Sequence, residues 1–216
     1  MRKTLYDDGY HHELTEGAKV VGEDGIVVLA NMKNTQIPKE LVPFNKAKTK
    51  KDKRGYVHFY IHDKGFACVL NNAKKYAPLF RQYDGIISPD PSMGIGNSLC
   101  LLKMSTYFNR AIGFFYQRNG IPVIPNIRWT DEASYPFCFL GVPKNSIVAI
   151  STHGCCKSKE QKELFRAGLI KMLEVLEPED VIVHGHMPKD VFQCLEDKTR
   201  FHRYPSEFEQ THKEER

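Results

Sequence analysis

The sequence predicts an α/β fold in which strand–helix units alternate around a mainly parallel sheet, either an open doubly wound sheet or a small incomplete barrel. Three observations predict it. Short runs rich in β-branched and aromatic residues recur from residue 56 to residue 204. Helix-length segments separate them, at the spacing of βαβ units. Four of the strand candidates turn polar toward their C-terminal ends, where both architectures gather their ligand-binding loops.

In chain order, residues 1–20 are polar, histidine-containing and aperiodic, and read as an arm. GIVVLANM (25–32) is a candidate short strand, after which Pro38 and Pro43 punctuate a loop. NKAKTKKDKRG (45–55) sets Lys46, Lys48, Lys50, Lys51, Lys53 and Arg54 against only Asp52, the pattern of a solvated loop or a phosphate-binding strip. YVHFYIHD (56–63) begins the regular part as a strand, and a helix-like stretch follows to about Tyr83. DGIISPD (84–90) is the next strand. SLCLLKMSTYFNRAIGFFYQRNG (98–120) has helical length and stops on Asn119-Gly120. IPVIPNIRW (121–129) and KNSIVAIST (144–152) are strands. Ser158 and Gln161 form a capping-box signal that opens the helix KEQKELFRAGLIKMLEVL, and Pro178 lies just past its end. DVIVHGH (180–186), a short helix over 188–197 and TRFHRY (199–204) complete the series. The organisation expected is an N-terminal arm, short strand and basic loop over 1–55, an α/β domain over 56–205 and a polar tail over 206–216.

The totals set outer limits. At 216 residues, with 41% hydrophobic and 26% charged content, the chain suits one globular domain with a substantial core. Its net charge of +5 favours anionic partners without diagnosing nucleic-acid binding. The apolar runs fall short of the ~20 residues a membrane span needs, and the N-terminus lacks an apolar signal region. The six cysteines form no CxxC pair, so reduced thiols and a cytoplasmic location are expected. Oligomeric state is left open.

Side chains two apart share a strand face. His58, Tyr60 and His62 therefore align, with Asp63 in the turn beyond; Ser88 and Asp90 follow Ile86; Asn126 and Arg128 follow Ile124; His184 and His186 follow Ile182. Within the stretch IPVIPNIRWTDEASY the residues of a sheet interior give way to Asn126, Arg128, Trp129, Asp131 and Glu132. Arg128 is suited to hold a phosphate or carboxylate bidentately, and Trp129 offers a flat face for stacking. Asp63, Asp90, Asp131 and Glu132 are candidates for general acid–base work or divalent-cation coordination. His62, His184 and His186 are candidates for proton transfer or metal binding, although H-x-H needs a third ligand that the sequence does not place. Gly154, Cys155 and Cys156 precede a helix whose free amides and dipole suit an anion. PDPSMGIGNS (89–98) matches neither the dinucleotide nor the P-loop pattern and reads as a flexible loop.

With these segments assembled, the chain resembles the domain-of-unknown-function family numbered 4417, found in bacteria, phages and other mobile elements. The resemblance runs from about Phe44 to Tyr204. It rests on HFYIHD, DGIISPD with Ser92, the Asn109-Arg110 pair, the long run 121–154, the LFRAGL helix, and VIVHG followed by Pro188. It implies a recurring polar set of Asp63, Asp90, Ser92, Asn109, Arg110, Arg128, Trp129, Asp131, Ser151 and Gly185. The chain departs from the family pattern at His62-Asp63, where two aspartates are usual, at Pro91 and MGIGNS, where members carry an aromatic residue and a longer polar loop, and at His184, where a tyrosine often stands. A reaction that used the paired aspartates or that tyrosine would be altered or lost here.

The expectation is a phage or mobile-element-associated protein whose strand-end pocket binds a phosphate-bearing ligand, a nucleotide or a nucleic-acid end, and hydrolyses or rearranges it. The catalytic candidates are Asp63, Asp90, Asp131 and His62. The ligand-binding candidates are Ser92, Asn109, Arg110, Asn126, Arg128, Trp129, Ser151, Gly154 and His184. No cofactor is named, a divalent cation being the one candidate, and no membrane partner is expected. Two alternatives stand beside this one. The first is a non-catalytic binder that sequesters a host nucleotide signal or contacts a host protein; the second is nucleic-acid binding through the basic strip 46–54.

Overall fold

The computed structural model describes residues 11–31 and 36–214, with side chains to residue 211. The first half of the expected N-terminal arm and the end of GIVVLANM thus lie outside the described residues. The hairpin strands β1 (Val20–Val21) and β2 (Ile26–Val27) come first. They are followed by β3 (Leu41–Pro43), α1 (Phe44–Ala47), β4 (Tyr56–His58), α2 (Ala67–Asn71), α3 (Ala73–Phe80), β5 (Gly85–Ile87) and α4 (Leu99–Arg118). The second half comprises β6 (Val123–Ile124), α5 (Tyr135–Cys138), β7 (Ile147–Ser151), α6 (Lys159–Leu176), β8 (Asp180–His184), α7 (Lys189–Phe192), β9 (Arg200–Tyr204) and α8 (Glu207–Glu214).

The local signals explain the two long helices. Ser98 Oγ accepts from Leu101 N at the start of α4, and Asn119-Gly120 ends it. Ser158 Oγ accepts from Gln161 N, and Gln161 Oε1 accepts from Lys157 N, so α6 opens on a variant of the capping box. Two differences from the sequence reading stand out. Where Pro38 and Pro43 suggested only a loop, Leu41 and Val42 pair with Tyr56 and Val57 as strand β3. Pro43 is tolerated there because β3 is an edge strand. The polar stretch after residue 206 forms helix α8.

Strands β3, β4, β5 and β6 make a four-stranded parallel sheet in chain order, and β7, β8 and β9 a three-stranded one. A parallel bridge between Asn126 and Ala149 joins them, with Ile127 N donating to Ala149 O and Ala149 N to Pro125 O, both at 2.8 Å. Strand order never reverses, so the doubly wound alternative is excluded, since its hallmark is a switch in order. A flat array would hold β4 and β8 roughly 19 Å apart, four spacings of about 4.8 Å. Yet the rings of His58 on β4 and His184 on β8 have centroids 4.7 Å apart. The strands therefore curl into an incomplete barrel. Tyr204 Oη at the end of β9 donates to Pro38 O just before β3, so the two edges approach without a ladder between them among the described residues.

The pleat sorts the side chains into three groups. Val57, Phe59, Ile86 and Val123 face outward and pack under α3 and α4. Val148, Ile150, Val181 and Val183 face outward under α6, against Leu169, Met172 and Leu173. Tyr56, Tyr60, Ile87, Ile124, Ala149 and Ile182 face inward and fill the barrel. At its N-terminal end Asp180 accepts from Arg200 Nε and Nη2 at 2.8 and 2.7 Å and contacts His202 Nε2 at 2.7 Å. Those bonds, Arg200's first, hold the Asp180 carboxyl below its usual range.

Arg110 on α4 is the largest fully buried side chain, at 1% exposure. Its Nη1 donates to Asn109 Oδ1 at 2.5 Å and to Asn126 O at 3.0 Å, Nη2 to Cys138 O at 2.8 Å, and Nε to Leu140 O at 3.0 Å. Burial brings its pKa down to about 10, which leaves it charged at neutral pH. Replacing it by leucine strands the carbonyls of Cys138 and Leu140, each costing about 1–3 kcal/mol, and leaves Asn126 O to Asn109 Nδ2 alone. Arg110→Leu is expected to lose roughly 3 kcal/mol or more by urea denaturation, and an unchanged midpoint would contradict this role.

Candidate functional site

The strands turn polar where they leave the barrel, and Asn126 organises that end. Its backbone N donates to Ser88 Oγ at 2.8 Å, and its carbonyl accepts from Asn109 Nδ2 and Arg110 Nη1, each at 3.0 Å. Ser88 Oγ in turn donates to Asn109 Oδ1 at 2.9 Å. With the backbone fixed from behind, the Asn126 side chain reaches forward. Its Oδ1 accepts from Tyr60 Oη at 3.0 Å, and its Nδ2 donates to Asp90 Oδ1 at 2.8 Å. Asp90 Oδ2 accepts from Arg128 Nη1 at 3.2 Å. A single chain of contacts thus runs from buried Arg110 to the guanidinium of Arg128.

Arg128 opens into a cleft of about 210 Å³ bounded by the β5–α4 loop at Met93 and Gly94, the end of β7 at Ser151, and Phe165 on α6. Among the described residues it is the only charged side chain lining that cleft. Its one hydrogen bond goes to Asp90 through Nη1, so Nε and Nη2 have no acceptor among the described residues. Asp90 holds the guanidinium firmly protonated. Burial pushes the Asp90 carboxyl above its ordinary value, against the opposing pull of Arg128 and Asn126.

Behind the cleft lies an uncharged polar group. Ser151 Oγ is 3.2 Å from His184 Nδ1, and the His184 ring stacks on Tyr60 at 4.7 Å. His58 Nδ1 accepts from Tyr60 N at 3.2 Å. Both imidazoles are 3% exposed. Burial, with His153 adding to it, lowers His184 to about 4, and burial with His184 beside it depresses His58. Both rings are neutral at pH 7. Burial raises the Tyr60 hydroxyl, so that it also stays neutral.

The structure gathers Asp90, Asn126, Arg128, Ser151, Gly154 and His184 at this end of the barrel. Asp63 and Ser92 are nearby but engage each other: Ser92 Oγ and N donate to the Asp63 carboxylate at 2.8 and 3.2 Å, tying two loops together. Asn109 and Arg110 lie buried behind the wall and meet backbone and each other. Asp131 caps its own turn through Ala133 N at 3.1 Å. His62 is exposed and caps Lys64 N at 3.3 Å. His186, expected to align with His184, is exposed, because Gly185 at φ +107° ends the strand alternation. A Cβ on that glycine would also meet Thr152 Oγ1 at 2.7 Å.

Trp129 borders the cleft yet is 7% exposed, packed 5.0 Å from Phe165 and against Gly168. A Cβ at Gly168 would fall 2.0 Å from Trp129 Nε1, so glycine is what lets α6 lie on the indole. The sequence reading named Cys155 only within the turn before α6 and Gln161 only as a capping residue, and it did not select Phe165, which lines the cleft with them, or His58 and Tyr60 behind it. The alternation in YVHFYIHD had put His58 and Tyr60 on one face and was the available signal. In the basic strip, Lys46 pairs with Glu207, Lys50 with Glu40 and Arg54 with Asp52, while Lys53 donates to Ala47 O and Lys48 O. Lys48 lies over the Tyr76 ring, and Lys51 alone in the strip has no partner among the described residues. No group of metal-binding side chains occurs among the described residues, and none of their helices is long and apolar enough to cross a membrane.

A family model described as "Domain of unknown function (DUF4417)" matches residues 22–205. The chain is also 30% identical over 133 residues to the Gene 1 protein of Mycobacterium phage L5 and, at the same identity and length, to the Gene 1 protein of Mycobacterium phage D29. Those stretches cover 62% of this chain but only 58% and 49% of the two phage proteins, so the chain spans about half the length of these relatives. No solved structure matches.

The neutral histidines carry a pH signature. Their folded pKa values lie below 6.5, so between that value and about 4 the unfolded chain binds more protons than the folded one. Stability is full above pH 6.5 and is expected to fall as the pH drops through this window. Urea titrations at stepped pH should show that loss, and His184→Asn should lessen it; an equal loss in the variant would contradict the assignment.

Proposed function

The chain belongs to the DUF4417 family, which is phage-associated and of unknown function, and from that premise we propose that the Arg128 cleft binds a phosphate-bearing ligand, a nucleotide or a nucleic-acid end. One observation carries the reading: the cleft is lined by apolar and neutral groups around a single cation, whose Nε and Nη2 have no acceptor among the described residues. A guanidinium in such a setting favours an anionic oxygen pair over a neutral ligand. The volume of about 210 Å³ suits a phosphate with the adjoining part of a nucleotide. Ser151 orients the ligand in this reading, and Asn126 orients it through Asp90 and Arg128. Gly154, at φ +79°, leaves the backbone before α6 open to it. Asp90, its carboxyl raised by burial and paired with Arg128, is the group assigned to proton transfer if the ligand is hydrolysed.

Trp129 is the only tryptophan and borders the cleft, so its fluorescence reports occupancy. Titration with a panel of nucleotides and 5′-phosphorylated oligonucleotides is expected to identify a binder. Loss of charge-assisted hydrogen bonds at about 1.5–3 kcal/mol should weaken it roughly 10–100-fold in Arg128→Ala. Equal affinity in a folded Arg128→Ala variant would remove Arg128 from the site. Asp90→Asn should keep binding and lose any turnover; retained turnover would move the proton-transfer role elsewhere.

A further inference from the structure

The incomplete barrel has a second opening, at the side, where β3 and β9 fail to join. The cavity there measures about 520 Å³. Its inner wall is formed by His58 and His184, and Lys39, Lys46 and Lys50 line it as well. None of these lysines touches the Arg128 cleft, and the wall between the two openings is the Ser151–His184 contact.

We propose that this lateral opening is a second ligand site, taking a phosphate monoester or inorganic phosphate through His58 Nε2–H and the ammonium groups of Lys46 and Lys50. His58 carries the argument. Its Nδ1 accepts from Tyr60 N at 3.2 Å, so the proton of the neutral ring resides on Nε2. That N–H has no partner among the described residues, although the residue is 3% exposed and its ring lines the cavity. Held at the cavity wall with no partner from the described residues, this donor is placed to meet an acceptor that enters the opening. His184 presents its Nε2, likewise without a partner among the described residues, on the same wall, its Nδ1 being engaged by Ser151.

The other side of the cavity already accommodates anionic oxygen. Glu207, in the first turn of α8, pairs with Lys46, and Glu40 pairs with Lys50 at 2.9 Å. Glu207 Oε1 is buried, and its contact among the described residues is the Lys46 ammonium. A ligand that draws Lys46 and Lys50 away from two carboxylates must carry more charge than one of them, which selects dianionic phosphate over a monocarboxylate. Glu207 then acts as a built-in competitor.

The test is a titration of inorganic phosphate into the full chain with isotope-labelled histidine, followed by imidazole NMR. The expected result is a saturable shift of the His58 signals. Glu207→Gln should saturate at several-fold lower phosphate, Lys46→Ala and Lys50→Ala at several-fold higher, and Arg128→Ala should leave the curve unchanged. A linear or absent response in the wild-type chain would overturn the site. Loss of the response in Arg128→Ala would also overturn it, by placing the phosphate in the other cleft. Unchanged or weaker binding in Glu207→Gln would overturn the competition.

Discussion

A fully buried guanidinium is the constraint on which the candidate site rests. Arg110 is surrounded by carbonyl oxygens from three separate segments: the end of β6, the turn after α5, and Asn109 beside it on α4. Charge without a carboxylate partner is costly in a core, and here the cost is offset by satisfying backbone acceptors that would otherwise be stranded. The consequence is positional. Once the Asn126 backbone is pinned, its side chain can point only forward, toward Tyr60 and Asp90, and Asp90 then sets the place of Arg128. The residue that faces the ligand is three contacts removed from the one that fixes it.

The curl of the barrel supplies the second half of the site. Six inward side chains, three of them aliphatic, one alanine and two tyrosine, fill the middle. Polar groups are confined to the ends, with Asp180, Arg200 and His202 at one and His58, Tyr60, Asn126 and His184 at the other. Because the imidazoles and the Tyr60 hydroxyl are uncharged at neutral pH, the charged pair bonded into that set is Asp90 and Arg128. The unclosed edge between β3 and β9 gives the same set a second face toward solvent.

Much of this was legible in the sequence, and the reason is periodicity. Alternation alone places Asn126 and Arg128 together, and puts polar residues at the correct ends of β4, β5, β6 and β8. It also aligned His58 with Tyr60. What periodicity does not encode is depth. Arg110, Asn109 and Trp129 are residue types that serve ligands when exposed, but here the first two lie on the buried side of α4 and α6 covers the third. Alternation also fails where a strand ends early, as at Gly185 before His186. Strand β3 was hidden by Pro43, which reads as a breaker unless the strand is known to lie on an edge. The choice between doubly wound sheet and incomplete barrel depended on long-range order, which no local pattern carries.

The most direct test of the positional chain is a crystal structure of Asn126→Ala. The Arg110 bonds to backbone oxygen do not involve the Asn126 side chain, so the fold and the buried guanidinium should be preserved. Asp90 should lose its Nδ2 donor, and Arg128 should leave its place at the cleft wall. Finding Asp90 and Arg128 undisturbed in that structure would contradict the dependence of the site on Asn126.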